Sequence, residues 1–403
     1  MSVGKLNIAI DMRGLQTYSL HRGIGVHWRE IMKKLMNTDQ RSQYILIYAK
    51  NFPAADDDLI YPDNYRKIYV KVPFFRKKIS LFYLWSLDQQ RIYRILKNNS
   101  VDIAILTTFA EVWFPGKKFR DIPTITWVYD MIPFIFEEKY FRKVKYGALK
   151  RYFMNKKIKN TQEMDYIITS SQSGKQDWLK FAEYPENRVI VNPLGVNENY
   201  HKFAQDEKKI DGVRKKYNLD EKFIFYLGGV DPRKNLHRAL KGYAIAREKI
   251  SLPNIVIAGN INKQHRDYFA VCQQIRKYNL DDCVRFVGFI PDEHLPVMYG
   301  LAEFLLFPSL CEGFGLPVLE AMASGCPVLT SNISAMPEVA GNCAFLVRPH
   351  SAESIADGII QIIQNNDLRN KMINCGKQRA KKFSWERTAR NLLNIIEKVV
   401  NNE

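Results

Sequence analysis

The pattern that most constrains this 403-residue chain is a recurrence of short apolar runs, many closed by Gly, Asp, Ser or Pro and separated by helix-length segments. Runs at 7–10, 44–48, 68–72, 103–106, 124–129, 166–169 and 188–191 form a first series, with helical segments such as 26–36 and 80–96 between them. A second series follows at 223–227, 255–258, 284–287, 304–307 and 328–329, with helical segments at 235–249 and 316–323. Strand–helix alternation of this kind predicts parallel sheets covered by helices, because parallel neighbours need a long crossover between them. Two series predict two α/β, doubly wound, Rossmann-like domains, and the length suits two or three domains. The polar stretch 197–211 marks the boundary, giving domains over 1–198 and 199–381. Residues 382–403 form a last helix expected to return to the first domain. Leu392, Leu393, Ile395, Ile396 and Val399 supply its apolar face, and Ser384 stands at its N-cap position.

The six cysteines, Cys272, Cys283, Cys311, Cys326, Cys343 and Cys375, contain no C-x-x-C pair. That excludes a zinc ribbon and predicts reduced, buried thiols in place of a disulfide framework. No apolar run reaches the roughly 18 residues of a membrane span. The opening apolar run is too short for a signal peptide and reads as a first strand.

The densest chemistry lies at 309–327, Ser-Leu-Cys-Glu-Gly-Phe-Gly-Leu-Pro-Val-Leu-Glu-Ala-Met-Ala-Ser-Gly-Cys-Pro, which reads as strand, glycine loop and helix. Gly313 and Gly315 let the backbone approach a ligand closely, and Pro317 suits a first helical turn. The helix start offers N–H groups and a positive dipole end to an anion. Glu312 sits in the loop and Glu320 about one turn into the helix, so one carboxylate can face a loop ligand while the other binds hydroxyls further along. A second stretch, 225–235, reads Phe-Tyr-Leu-Gly-Gly-Val-Asp-Pro-Arg-Lys-Asn and follows the first strand of the second series. Arg233 can fork onto a phosphate and Lys234 can act as a point charge. Two bases at a helix start oppose its dipole, so an anion is expected to compensate them. Asp56-Asp57-Asp58 fits a metal-binding D-x-D pattern, but within 53–62 it reads as a solvated acidic loop.

On these residues the sequence resembles the retaining glycosyltransferases of the GT-B fold, in the group usually called family 4. The resemblance rests on E-x7-E as Glu312…Glu320, on Asp231-Pro-Arg-Lys-Asn235 as a nucleotide-phosphate loop, and on Ser-Ala-Met-Pro-Glu-Val-Ala-Gly at 334–341. Arg22-Gly-Ile-Gly25 is similar to the group's N-terminal glycine loop, and Phe383-Ser-Trp385 to its closing element. The fold so implied is a pair of Rossmann-like domains facing across a cleft. The implied catalytic residues are Glu312, touching the donor sugar, and Arg233 and Lys234, holding the departing diphosphate. Glu320 would bind ribose hydroxyls, and the backbone of Gly313, Phe314, Gly315 and Leu316 would meet sugar and phosphate. Gly23 and Gly25 would approach the diphosphate, Tyr129 and Asp130 the sugar, and Phe289 the base. Two positions depart from the group: Gly229, where many relatives carry Arg, and Tyr129-Asp130, where many carry His-Asp. Tyr129 keeps a hydrogen-bonding tip but cannot become cationic near neutral pH.

The activity so implied is transfer of a hexose from a nucleotide sugar, with GDP-mannose as the best-matched donor, to a glycan or lipid-linked acceptor in cell-surface polysaccharide or lipopolysaccharide synthesis. UDP-hexoses and dTDP-rhamnose are the alternative donors. Retention of the anomeric configuration is implied. Turnover without a metal or other cofactor is expected, since Arg233, Lys234 and a helix end already supply positive charge. A GT-B phosphorylase, a nucleotide-sugar epimerase and a non-enzymatic basic scaffold are the rival readings.

Lys and Arg number 60 against 42 Asp and Glu, a net charge of +18, of which +12 falls in residues 1–200. Such a surplus bears on partners, not on fold. Between 139 and 159 stand Lys139, Arg142, Lys143, Lys145, Lys150, Arg151, Lys156, Lys157 and Lys159 with no acid among them, interleaved with Tyr140, Phe141, Tyr146, Tyr152 and Phe153. A second patch holds Arg66, Lys67, Lys71, Arg76, Lys77 and Lys78 beside Phe74 and Phe75. Bases with aromatics suit an anionic membrane surface. A cytoplasmic protein held peripherally at the inner face of the membrane is expected, and no nucleic-acid partner, since no nucleic-acid motif accompanies the bases.

Overall fold

The computed structural model describes residues 5–401 apart from 17–22, 51, 55, 57, 72–88, 110–120, 143, 145, 203–206, 260 and 262–265. The chain divides into two compact units, Met1–Gly195 with Trp385–Glu403, and Val196–Ser384.

The first unit holds strands β1 (Asn7–Asp11), β2 (Gln43–Ala49), β3 (Tyr65–Val70), β4 (Ile103–Leu106), β5 (Thr124–Val128), β6 (Tyr166–Thr169) and β7 (Val189–Val191). They form one sheet in the order β3-β2-β1-β4-β5-β6-β7, and every neighbouring pair is parallel. The second unit holds β8 (Phe223–Leu227), β9 (Asn254–Ala258), β10 (Val284–Gly288), β11 (Phe304–Phe307), β12 (Val328–Ser331) and β13 (Phe345–Val347). Its sheet runs β10-β9-β8-β11-β12-β13, again parallel throughout. Central strands such as β4, β5, β11 and β12 are buried at every residue, as a sheet covered on both faces requires. That double burial is why β4 and β11 read as continuous apolar runs and not as an alternation. In both sheets the strand order reverses beside the first strand, between β1 and β4 and between β8 and β11. Loops at the carboxyl ends of such strands diverge and leave a crevice.

The expected strand runs become strands with shifted ends. β13 lies beyond the apolar runs of the second series. The helical segment expected at 235–249 is Leu236–Arg247. The one expected at 80–96 is described only from Gln89, as the helix Gln89–Asn98.

Trp385–Val400 buries Trp385, Thr388, Ala389, Leu392, Ile395, Ile396 and Val399, a stripe at helical spacing. It packs on the helix Gly23–Thr38. Thr388 Oγ1 donates to the Pro193 carbonyl at 2.8 Å, and Asn192 Nδ2 donates to the Thr388 carbonyl at 3.0 Å.

The reduced-thiol expectation is corrected for one pair. Cys343 and Cys375 form a disulfide with Cα atoms 5.2 Å apart, while Cys283, Cys311 and Cys326 are buried free thiols and Cys272 is partly exposed. No local spacing announces this bridge, because its partners are 32 residues apart in sequence. They meet only when the helix Asn366–Ala380 lies against the turn Gly341–Cys343. The solvated-loop reading of Asp56 is also corrected. Its carboxylate is fully buried and accepts hydrogen bonds from the hydroxyls of Tyr48 and Tyr61. Asp58 pairs with Arg29, and Asp57 lies outside the described residues.

The bridge predicts that unfolded, unreduced protein titrates four thiols and that reduction exposes six. Closing a loop of this size constrains the unfolded chain, so Cys375→Ser should lower unfolding free energy by about 2–4 kcal/mol under non-reducing conditions. Denaturant titration of the variant beside the wild type measures it.

Candidate active site

At the strand-order reversal of the second unit, β8 ends in Gly228 (φ +153°) and Gly229 (φ +58°), whose N–H groups both donate to the Ala258 carbonyl at 2.9 and 2.8 Å. A Cβ on Gly228 would stand 2.7 Å from Lys234 Cγ, so only glycine lets that side chain lie over the strand end. Pro232–Lys234 then forms a single 3-10 turn, capped by Asp231 Oδ1, which accepts from the Arg233 N–H at 3.2 Å. Asn235 follows in the left-handed region (φ +66°). Its Nδ2 donates to the carbonyls of Pro308 (2.9 Å) and Pro349 (2.7 Å). Arg233 and Lys234 therefore stand ahead of the Leu236–Arg247 helix, at the carboxyl end of β8. Their compensating anion is a side chain of the protein.

That anion is Glu312, in the loop after β11. Oε1 lies 2.6 Å from Lys234 Nζ and accepts from Ser309 Oγ at 2.6 Å, while Oε2 accepts from Arg233 Nη1 at 3.1 Å. Arg233 also reaches Asp231 at 3.3 Å. The loop is pinned from behind: Ser334 Oγ accepts from the Glu312 N–H and donates to the Glu312 carbonyl, both at 3.0 Å. Burial alone would raise the Glu312 carboxyl, but the charges of Lys234 and Arg233 and the bonds from Lys234 and Ser309 outweigh it and hold the group below its ordinary value. Burial pulls Lys234 down from the ordinary lysine range, against the pull of Glu312.

The helix Leu316–Ala323 begins at Gly315 (φ +107°), and no side chain caps it. A Cβ at Gly315 would lie 2.3 Å from Met336 Cε. An uncapped start leaves backbone N–H donors and the positive dipole end for an outside anion. Glu320, one turn in, accepts a hydrogen bond from Tyr299 at 3.0 Å. Burial, with Asp292 adding to it, pushes its carboxyl up to about 7 against the opposing bonds from Tyr299 and Tyr200. The two glutamates are thus driven in opposite directions, one held as an anion by two bases and the other, among the described residues, with no ion pair. Phe289, directly after β10, presents an exposed ring.

The structure thus gathers Arg233, Lys234, Glu312, Gly313, Phe314, Gly315, Leu316 and Glu320 at one edge of the second unit. Gly23, Gly25, Tyr129 and Asp130 belong to the first. Gly23 and Gly25 open the Gly23–Thr38 helix, and Asp130 accepts from the Ile132 N–H at 3.0 Å. Tyr129 is hydrogen-bonded to Nδ1 of His27, a buried imidazole that lies 4.4 Å from the Trp127 ring centroid and 5.4 Å from that of Trp385. Burial pushes His27 down to about 3, so it is neutral at working pH. Sequence reasoning missed His27, Ser309, Asn235, Tyr200 and Tyr299, and gave Ser334 no role. Ser309, Asn235 and Ser334 had a signal, their places in segments that the sequence singles out; His27, Tyr200 and Tyr299 had none.

The basic stretch is less free than its composition indicates. Lys157 is buried, which removes it as a membrane-docking candidate. Arg151 pairs with Glu137 at 2.8 Å, and Arg142 approaches the same carboxylate at 3.8 Å. Glu137 precedes the stretch in sequence and folds onto it. Lys150 and Lys156 are exposed beside Tyr146, Leu149 and Tyr152. Lys143, Lys145, Arg76, Lys77, Lys78, Phe74 and Phe75 lie outside the described residues. Among the described residues, no helix is long and apolar enough to cross a membrane.

Residues 21–200 match the family model described as "Glycosyltransferase Family 4", and residues 208–379 match "Glycosyl transferases group 1". The chain is 29% identical over 229 residues to O-antigen chain mannosyltransferase B of Escherichia coli, covering 57% of this chain and 59% of that protein. It is 25% identical over 411 residues to the serotype-specific mannosyltransferase WbdA of Escherichia coli, covering 95% of this chain and 47% of that protein. The chain spans about half the length of these curated relatives. A solved glycosyltransferase from Rickettsia africae ESF-5 shares the fold over 100% of both chains, with a TM-score of 0.71 at 19% identity.

The opposed glutamates predict opposite pH signatures. Glu312, held low, contributes stability that is present above its ordinary value of 4.5 and lost as pH falls through its folded value. Glu320, pushed up, contributes stability that is lost as pH rises towards 7. Glu320→Gln should therefore raise the melting temperature relative to wild type at pH 8 and not at pH 5. Glu312→Ala, which strands Lys234 in a buried site, should cost about 3–5 kcal/mol at neutral pH. Thermal and denaturant unfolding across pH check both.

Proposed function

We propose that this chain, which belongs to the glycosyltransferases whose halves match the family 4 and group 1 models, transfers a hexose from a nucleotide sugar to a glycan or lipid-linked acceptor in cell-surface polysaccharide synthesis. The observation that carries the reading is the Glu312–Lys234–Arg233 cluster beside the uncapped Leu316–Ala323 helix, at the strand-order reversal where such sheets bind ligands. Breaking a glycosyl–phosphate bond develops negative charge on the departing diphosphate. Arg233, Lys234 and the N–H groups of Phe314, Gly315 and Leu316 are preorganised to receive it. Glu312, already ionised, accepts from donor-sugar hydroxyls, and Glu320 accepts from ribose hydroxyls. Because the site's own cations supply the charge, turnover proceeds without a metal.

In this reading the acceptor hydroxyl attacks the anomeric carbon from the face that the diphosphate leaves. The C–O bond to phosphate breaks as the new glycosidic bond forms, and the acceptor proton passes to the departing phosphate oxygen. The configuration is retained and no separate carboxylate base is needed. The mannosyltransferase names of the relatives support GDP-mannose as donor, with UDP-hexoses and dTDP-rhamnose as the alternatives. The acceptor falls to the first unit, whose exposed Lys150 and Lys156 among Tyr146, Leu149 and Tyr152 suit an anionic lipid surface. Each base close to such a surface contributes about 1 kcal/mol.

A thermal-shift screen of nucleotide sugars should single out one donor, with GDP-mannose giving the largest rise. With that donor, Lys234→Ala and Arg233→Ala should each lower kcat by about 100-fold or more. NMR of the product should show a retained anomeric centre; inversion, or activity lost in EDTA and restored by magnesium, would overturn the route. In flotation, vesicles containing anionic lipid should carry the protein and neutral vesicles should not. Replacing Leu149, Lys150, Tyr152 and Lys156 together should abolish that difference.

A further inference from the structure

We propose that Tyr200 and Tyr299 are positioning residues for the Glu320 carboxylate, Tyr299 holding it by its phenol hydroxyl and Tyr200 packed against Tyr299, leaving the carboxylate oriented for the ribose diol of a bound nucleotide. This rests on the reading above in which Glu320 takes the ribose hydroxyls.

The two tyrosines come from different elements and converge on one side chain. Tyr299 lies in the helix Leu295–Leu301, is fully buried, and donates to Glu320 Oε2 at 3.0 Å. Its ring stands edge-on to Phe225 of β8, with centroids 5.4 Å apart, which fixes its direction. Tyr200 lies in the turn Glu198–His201, where the chain enters the second unit, and this turn packs against the Leu316–Ala323 helix. Tyr200 is buried and tilts against Tyr299 with centroids 6.1 Å apart, which places it beside the phenol that holds the carboxylate.

The stoichiometry suits a diol. A carboxylate offers about four lone-pair sites. The Tyr299 phenol occupies one of them, on Oε2, which leaves room on the carboxylate for both hydroxyls that a ribose presents. A carboxylate on a flexible stem would have to be ordered as the ligand arrives, whereas one held in advance is spared that cost. The groups facing Glu320 act in both directions. Burial and Asp292 disfavour its charge, whereas Tyr299, Tyr200 and Lys234 favour it. Removing a phenol therefore moves the titration of the carboxyl upward, away from the ionised form that a diol needs.

The test follows Glu320 with and without ligand in the full chain. Infrared titration reads its protonated-carboxyl band, identified by its disappearance in Glu320→Gln. Tyr200→Phe and Tyr299→Phe should each raise the midpoint by about one pH unit. Calorimetric binding of GDP and UDP, each beside its 2′-deoxy form, reads the consequence. Both Phe variants should bind the better ribonucleotide several-fold more weakly at pH 6.5, recover towards pH 9, and discriminate less against the deoxy form. Wild-type midpoints in both Phe variants overturn the clamp while leaving the role of Glu320 standing. Unchanged nucleotide binding by Glu320→Gln overturns the ribose reading and the clamp with it.

Discussion

The second unit is organised around one buried carboxylate. Glu312 takes Lys234 and Ser309 on one oxygen and Arg233 on the other, joining the loop after β11 to the turn after β8. Two bases this close to each other, with Lys234 largely withdrawn from water, need a counter-charge in contact. Much of the surrounding structure serves to put it there. Gly228 clears the space over which Lys234 lies, Asn235 separates the basic turn from the helix that follows, and Ser334 holds the Glu312 backbone by both of its polar groups.

The sheets beneath supply the platform. With both faces covered, their central strands are buried throughout, and the charged residues of the site stand at the carboxyl ends. The strand order reverses at β8/β11, so the loops there part, and Arg233 and Glu312 come from the two sides of that parting. The same rule applied to the first unit points to the carboxyl edge at β1/β4. Beyond β4 on that edge, Tyr129 follows β5 and is held by a neutral His27 that is itself packed between Trp127 and Trp385. Trp385 opens the last helix, so the element that completes the first unit also supports one of its edge residues.

Much of this was legible in the sequence. Apolar runs closed by Gly, Asp, Ser or Pro predicted the parallel sheets, because doubly buried strands cannot alternate. Glu312, Glu320, Arg233 and Lys234 were found because their spacing and glycine context are local. The disulfide, the burial of Asp56 and the loss of Lys157 to the interior were not legible. Each depends on how the chain packs and not on a local spacing: Cys343 and Cys375 are 32 residues apart, and the hydroxyls of Tyr48 and Tyr61 reach Asp56 only once the chain has turned back on itself. The pairing of Arg142 and Arg151 with Glu137 shows the same limit at short range: the acid lies just outside the basic stretch, and only the turn of the chain brings it back.

By itself, then, the sequence determined the two-sheet α/β architecture, the glycine-rich turns and the residue types at the carboxyl edge, since these follow from hydrophobic period and local backbone freedom. Only the tertiary structure decided which charges meet. Composition counted Arg233 and Lys234 as open cations and Glu312 and Glu320 as two similar acids. Packing turned the first three into a closed ion cluster and left the fourth carboxyl raised between two tyrosines. The reason is that Coulomb and desolvation terms depend on distance and burial, and residues dozens of positions apart acquire both only when the sheet is assembled.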